Sequence, residues 1–204
     1  QNEWTILLNN LVQHNTLAST QFGDFLLPNL WMPPLYAYYL YFFSFLPFEY
    51  QNFILIVLFS QSILASISVV IFFKINKFFF TEKISYYASL VFSFFPLYIY
   101  ACSQISSISL TIFLSMFFYY YFFKIKNHKI NIHIIIFGFI SGLLILVSRE
   151  FIAILVLSCF YLFLFCKIPY KKILFILLIT ITTISPYIVR NYIIFEKLII
   201  NSGF

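Results

Sequence analysis

The sequence predicts an all-α fold: a polytopic bundle of transmembrane helices, with an amphipathic interfacial helix in its first outer loop. Three observations carry the prediction. Of 204 residues, 63% are hydrophobic and only 9% are charged, against about 25% charged in a soluble domain. The charges gather in short clusters between apolar runs of 16 to 24 residues, the length that crosses ~30 Å of hydrocarbon. Those runs also lack the alternation over about 10 residues that marks barrel strands, as in "IHIIIFGFISGLLILV". Inside hydrocarbon each backbone N–H and C=O needs a partner, so a run without alternation is a helix.

Each element follows in order. Residues 3–18 place Trp4, Leu7, Leu8, Leu11 and Val12 on one helical face and Asn, Gln and His on the other, a pattern suited to lying along the interface. The stretch "STQFGDFLLPNLWMPP" reads as a polar loop, and its Pro33-Pro34 opens the next helix, because a first turn has no donors to lose. Residues 35–46 are apolar but stop at Pro47, so they form either a half-span or a tilted partner of the next run. Spans are expected at 50–73, 84–101, 105–123, 132–147, 151–166 and 173–189. The chain thus divides into an outer loop (1–34), a bundle (35–189) and the start of another outer loop (190–204), all in one transmembrane domain. It opens on Gln1 with no signal peptide and stops at "NSGF", and reads as part of a longer protein whose first span and C-terminal part lie elsewhere.

Most of the 30 Phe and 16 Tyr are packing, lipid-facing or interfacial-belt residues. Cys102, Cys159 and Cys166 form no CxxC pair, and His14, His128 and His133 have no metal-ligand spacing, so no metal site and no cofactor is assigned.

The charges sort by side. Loops after the spans 50–73, 105–123 and 151–166 carry Lys74, Lys77, Lys83, Lys124, Lys126, Lys129, Lys167, Lys171 and Lys172, with one acid, Glu82. An excess of basic residues marks the cytoplasmic face. The net charge of +6 is explained by this topology and by anionic lipid, and it gives no reason to expect nucleic acid. The opposite side holds Arg149, Arg190 and Lys197 with Glu150 and Glu196. These are the only two arginines in the chain. A planar guanidinium at a membrane surface suits bidentate recognition of a phosphate or carboxylate.

Four polar islands share that outer side: "QNEW", "GDFLLPNLWMPPLY", "VSREF", and "VRNY" with "NSGF". Together with "CSQISSISLTIFL", their order resembles the N-terminal half of the C-type glycosyltransferase superfamily. The likeness is greatest to the dolichyl-phosphate-mannose–protein mannosyltransferases and the bacterial lipopolysaccharide-core and aminoarabinose transferases. The stretch "SPYIVRNYIIFEKLIINSG" is similar to that group's Pro-x-x-x-Arg-Asn-Tyr segment with its Ser/Asn/Gly end. The resemblance implies a multispanning enzyme of a bacterial inner membrane with its site on the outer face. It would use a polyprenyl-phosphate-linked sugar as donor and a lipid-linked glycan or protein as acceptor, among membrane lipids. The family's acidic pair in the first outer loop, one member of which is the base, corresponds to Asn2-Glu3 here. Asparagine cannot take a proton, so Glu3 or Asp24 would carry the role, or an acid upstream of Gln1 would. Where relatives have an acid before the span at 105–123, the nearest polar residue is Gln104. Their Thr-Arg-Pro is Ser148-Arg149-Glu150.

Each residue also has a plainer reading. Arg190 is either a phosphate ligand or an anchor snorkelling at a helix end. Arg149 is either a phosphate ligand or half of an ion pair with Glu150. Glu3 is a base or a first-turn helix charge, and Asp24 a base or a turn residue after Gly23. Trp31 stacks on a sugar or sits in the interface. Asn2, Gln104, Asn191 and Asn201 are substrate contacts on the resemblance and ordinary loop or cap residues without it. Two other functions stay open: a non-catalytic relative that binds lipid phosphate, and a lipid-linked-glycan transporter. The transporter would need a polar path that spans with almost no internal charge do not supply.

Overall fold

The computed structural model describes residues 3–22, 25–28, 32–46, 50–128 and 131–197. They form α1 (Glu3–His14), β1 (Ala18–Phe22), β2 (Phe25–Pro28), α2 (Pro34–Ser44), α3 (Tyr50–Asn76), α4 (Glu82–Ser93), α5 (Pro96–Cys102), α6 (Ile108–His128), α7 (Asn131–Val147), α8 (Phe151–Leu164) and α9 (Tyr170–Phe195). The all-α membrane bundle expected from composition is the observed fold. Its surface is inside-out in the manner of a membrane protein: α3 exposes Leu55, Phe59 and Val70 and buries Gln61, Ala65 and Ser68. Lipid tails are as apolar as leucine, so helices associate through small and hydrogen-bonding residues rather than through greasy ones.

Among the described residues three helices, α3, α6 and α9, are long and apolar enough to cross a membrane, and the bent pair α4–α5 makes up to four. The six full spans expected from the sequence are therefore reduced. Helices α7 and α8 have 17 and 14 residues, or about 26 and 21 Å at 1.5 Å per residue, short of ~30 Å of hydrocarbon. The expected span 84–101 is broken, with a 56° bend between α4 and α5. Pro96 sits at the first turn of α5, where its ring and missing N–H are tolerated but cannot continue a helix through residue 95. The Tyr98 hydroxyl donates to the Ala65 carbonyl at 2.8 Å and fixes α5 against α3.

The polar loop expected after α1 contains an antiparallel hairpin instead, with β1 on β2 and an irregularity between Ala18 and Thr20. Its signal is legible: two short runs flank the dipeptide Gly23-Asp24, a two-residue spacer that favours hairpins. The Asn10 side chain donates to the Ala18 carbonyl at 2.8 Å, joining hairpin to helix. Along α1, Leu7, Leu8 and Leu11 are buried, but Val12 is 49% exposed, contrary to the expected face. Val12 instead lines a recess with Ser44 and Leu46 at the end of α2 and Tyr50 and Phe53 of α3.

Helices α7 and α9 form the most extensive pair in the bundle. They run parallel, with α8 returning the chain between them. Gly138 faces Ile176 and Ile179, and Gly142 faces Thr180 and Thr183. These glycines, four residues apart in "GFISG", let the backbones approach closely. The Thr180 hydroxyl, 2.9 Å from the Ile176 carbonyl of its own helix, uses that closeness to share its one proton with the Gly138 carbonyl at 3.1 Å.

Candidate functional site

Helix α9 does not end where the sequence suggested. It continues through Pro186 to Phe195, so Arg190 stands on a helix rather than opening a loop. Proline removes the donor for the carbonyl four residues earlier, here Thr182. The Ser185 hydroxyl donates to that same carbonyl at 2.8 Å, which offsets the loss locally. Thr183, Pro186, Tyr187 and Arg190 then follow at helical spacing and share one face.

That face, with Pro34, Leu35 and Tyr38 of α2 and Leu146 of α7, encloses a cavity of about 260 Å³. Its walls are mostly apolar, with the hydroxyl-bearing Tyr38, Thr183 and Tyr187 among them and Arg190 the one charged residue among the described lining residues. The Arg190 Nη1 donates to Asn191 Oδ1 at 2.8 Å, and Asn191 is fully buried. The guanidinium lies 5.8 Å from the centroid of the Tyr187 ring. Its other terminal nitrogen, Nη2, is buried without a hydrogen-bond partner, and no carboxylate forms a salt bridge with Arg190 among the described residues. A buried donor left unsatisfied costs about 1–3 kcal/mol, and more when the group is charged. Arg190 also lines the cavity, so an anion entering it would find a cation there, and the mostly apolar walls would suit an anion carried on a hydrocarbon tail.

A second polar knot lies inside the bundle. Gln61 of α3 is fully buried. Its Oε1 accepts from the Tyr36 hydroxyl at 2.8 Å, and its Nε2 donates to the Gln104 carbonyl at 2.8 Å. The Tyr39 hydroxyl hydrogen-bonds the Ser60 hydroxyl one position earlier on α3. Helix α2, which supplies one wall of the cavity, is thereby fixed to α3 and to the turn before α6.

The structure brings together some of the residues singled out by sequence and separates others. Arg190 and Asn191 are joined at the cavity. Gln104 takes part through its backbone carbonyl, while the residue is otherwise exposed. Arg149 and Glu150 are exposed in the turn between α7 and α8, where the Ser148 hydroxyl donates to Glu150 Oε2 at 3.1 Å. They share the cavity's end of the bundle but do not line it. Glu3 is exposed at the start of α1. The next residue, Trp4, sets its ring edge-on to Tyr36 at 4.7 Å, and Glu3 does not line the Arg190 cavity. Asn2, Asp24, Trp31 and Asn201 lie outside the described residues.

Sequence reasoning passed over Gln61, Tyr38, Tyr187 and the glycine pair. A glutamine in the middle of a 24-residue apolar run and a small-x-x-x-small spacing were the available signals for Gln61 and the glycines. Tyr38 and Tyr187, among so many aromatics, had none. Among the described residues no group of three or more His, Cys, Asp and Glu is placed to hold a metal. Comparison with known proteins finds no matching family model, no similar curated protein and no similar solved structure.

Proposed function

We propose that this protein is a membrane glycosyltransferase that holds the phosphate of a polyprenyl-phosphate sugar at Arg190 and passes the sugar to a hydroxyl of a lipid-linked glycan or protein. The observation that carries the reading is Arg190, with one terminal nitrogen left unbonded, as the one charged residue among the described residues lining a mostly apolar cavity. An arginine there fits a phosphate with a hydrocarbon tail better than a soluble anion, because the walls reward the tail and the guanidinium the head. The lysine-rich end would face the cytoplasm of a bacterial inner membrane, and the arginine end would face outward.

The chemistry would be one inverting displacement. The acceptor oxygen forms its bond to the anomeric carbon as the bond from that carbon to the phosphate oxygen breaks. The lipid phosphate leaves with the electron pair, its charge met by Arg190. The acceptor's proton passes to Glu3 or Asp24. The family resemblance of the first outer loop falls on Asn2-Glu3, with Asp24 or an acid upstream of Gln1 as the alternative, so the base assignment rests on that resemblance.

One observation favours a second reading, lipid-phosphate binding without transfer: Glu3 stands apart from the Arg190 cavity. A single experiment separates the two. The protein in lipid nanodiscs is titrated with a polyprenyl-phosphate hexose and assayed for sugar release, as wild type, Arg190→Ala and Glu3→Gln. The transferase reading expects turnover in wild type, donor affinity reduced at least about tenfold by Arg190→Ala for one lost charged hydrogen bond, and turnover lost with binding kept in Glu3→Gln. Binding through Arg190 with no release in any form would establish the second reading. Donor affinity unchanged by Arg190→Ala would refute both.

A further inference from the structure

A second recess lies at the other end of α2. It has a volume of about 240 Å³ and is bounded by α1, the end of α2 and the first turn of α3. None of the nine described residues that line it is charged. On one wall Thr5, Asn9 and Gln13 follow at four-residue intervals along α1, so they stack on one face. On the other, Tyr50 and Phe53 are three residues apart on α3 and present aromatic rings.

The two carboxamides are the informative groups. Neighbouring Asn10 spends its amide on the Ala18 carbonyl. Asn9 and Gln13 are exposed and make no hydrogen bond among the described residues. Each keeps both a donor pair and an acceptor free at the recess. Neutral amides beside aromatic rings, with no charge, match a ligand that offers hydroxyls on one edge and C–H on its faces. We propose that this recess is a binding site for a neutral pyranose sugar. On the transferase reading given above, on which this assignment of role rests, it seats the acceptor.

Its placement suits that role. Tyr38 lines the Arg190 cavity and Ser44 lines the recess, six residues apart on one helix, or about 9 Å along its axis. Helix α2 would then stand between a phosphate-tailed ligand and a neutral sugar, and would set their separation. Charge does the sorting: the cavity with arginine takes the anion, and no described residue lining the recess carries a charge to hold one.

The test uses the whole chain in lipid nanodiscs and three probes with the same tail: hexyl β-glucoside, hexyl phosphate and hexyltrimethylammonium. Binding is measured by calorimetric titration for wild type, Asn9→Ala/Gln13→Ala and Tyr50→Leu. The expected result is glucoside binding weakened about tenfold by the double substitution, the loss due to two neutral hydrogen bonds, and weakened also by Tyr50→Leu, with the charged probes insensitive to either. Glucoside affinity unchanged in both variants overturns the proposal, as does equal variant-sensitive binding of all three probes, which would make the recess a lipophilic groove. Polyprenyl-phosphate binding is measured on the same samples with Arg190→Ala as reference. Loss of variant-sensitive glucoside binding with Arg190-dependent phosphate binding intact overturns this site alone. The reverse pattern supports the sugar site and removes the phosphate reading.

Discussion

Replacing Gly142 by alanine would place a methyl carbon 2.5 Å from Thr183 Cβ and 2.7 Å from its Cγ2, where ordinary contact is 3.4–4 Å. The obstructing Cβ is fixed to the α9 backbone, so no rotamer change removes the clash. The helices must separate by about an ångström, or one must rotate. Overpacking of this kind costs typically 1–3 kcal/mol, while alanine gains about 1 kcal/mol of helix propensity over glycine. The bond from Thr180 to the Gly138 carbonyl, 3.1 Å in the native pair, would stretch and lose ~0.6 kcal/mol more. The steric term wins, and a net loss of about 1–2 kcal/mol is expected.

The assay is unfolding of the purified protein in mixed micelles by denaturing detergent, for Gly142→Ala, Thr183→Gly and the double variant. Moving the small residue across the interface relieves the clash, so the double variant should be more stable than additivity predicts, by about 1 kcal/mol. Because α7 and α9 both line the Arg190 cavity, Gly142→Ala should also weaken phosphate binding without touching the ligand. If Gly142→Ala is as stable as wild type or more so, propensity has outweighed packing and the tight α7–α9 approach is refuted.

Other expectations follow from single contacts. Gln61→Leu leaves the buried Tyr36 hydroxyl and the Gln104 carbonyl without partners and should cost about 2–4 kcal/mol, whereas Tyr36→Phe, which removes one of the two bonds, should cost about 1 kcal/mol. The same unfolding series checks both, and equal small losses would refute the knot's importance. Arg190→Lys should recover only part of the phosphate affinity lost in Arg190→Ala, since an ammonium cannot bond Asn191 and a phosphate in one plane; full recovery by titration would reduce the site to simple charge. Lys77→Ala breaks the salt bridge to Glu82, at 3.3 Å between exposed side chains, and a stability change above about 0.5 kcal/mol would be unexpected.

Much of the architecture can be read along the chain because the bilayer imposes a one-dimensional rule. A segment in hydrocarbon must bond its own backbone, so apolar length alone locates α3, α6 and α9. Charge clusters mark the loops for the same reason. Length and charge gave the helices less accurately where a local effect competes with that rule. Pro96 divides one apolar run into α4 and α5, and Pro186, with Ser185 bonded to the freed Thr182 carbonyl, fails to end another. The two prolines look alike in sequence. Their outcomes differ because one begins a helix that packs elsewhere and the other stays within a helix already fixed by its partner α7.

The candidate site is where sequence has least to say. Arg190 was conspicuous as one of two arginines, and its sequence alone allowed an anchor or a ligand. Only tertiary structure decides that Nη2 is buried without a partner, that Asn191 takes up Nη1, and that Tyr38 and Leu146, 152 and 44 positions before it in the chain, complete the cavity. Arg149 was equally conspicuous and lies outside it. Membrane insertion depends on composition summed over a segment, which any linear reading can add up. A binding cavity depends on which faces of distant helices meet, and here that is set by two glycines in α7 and one glutamine in α3 through contacts that have no counterpart in the order of the residues.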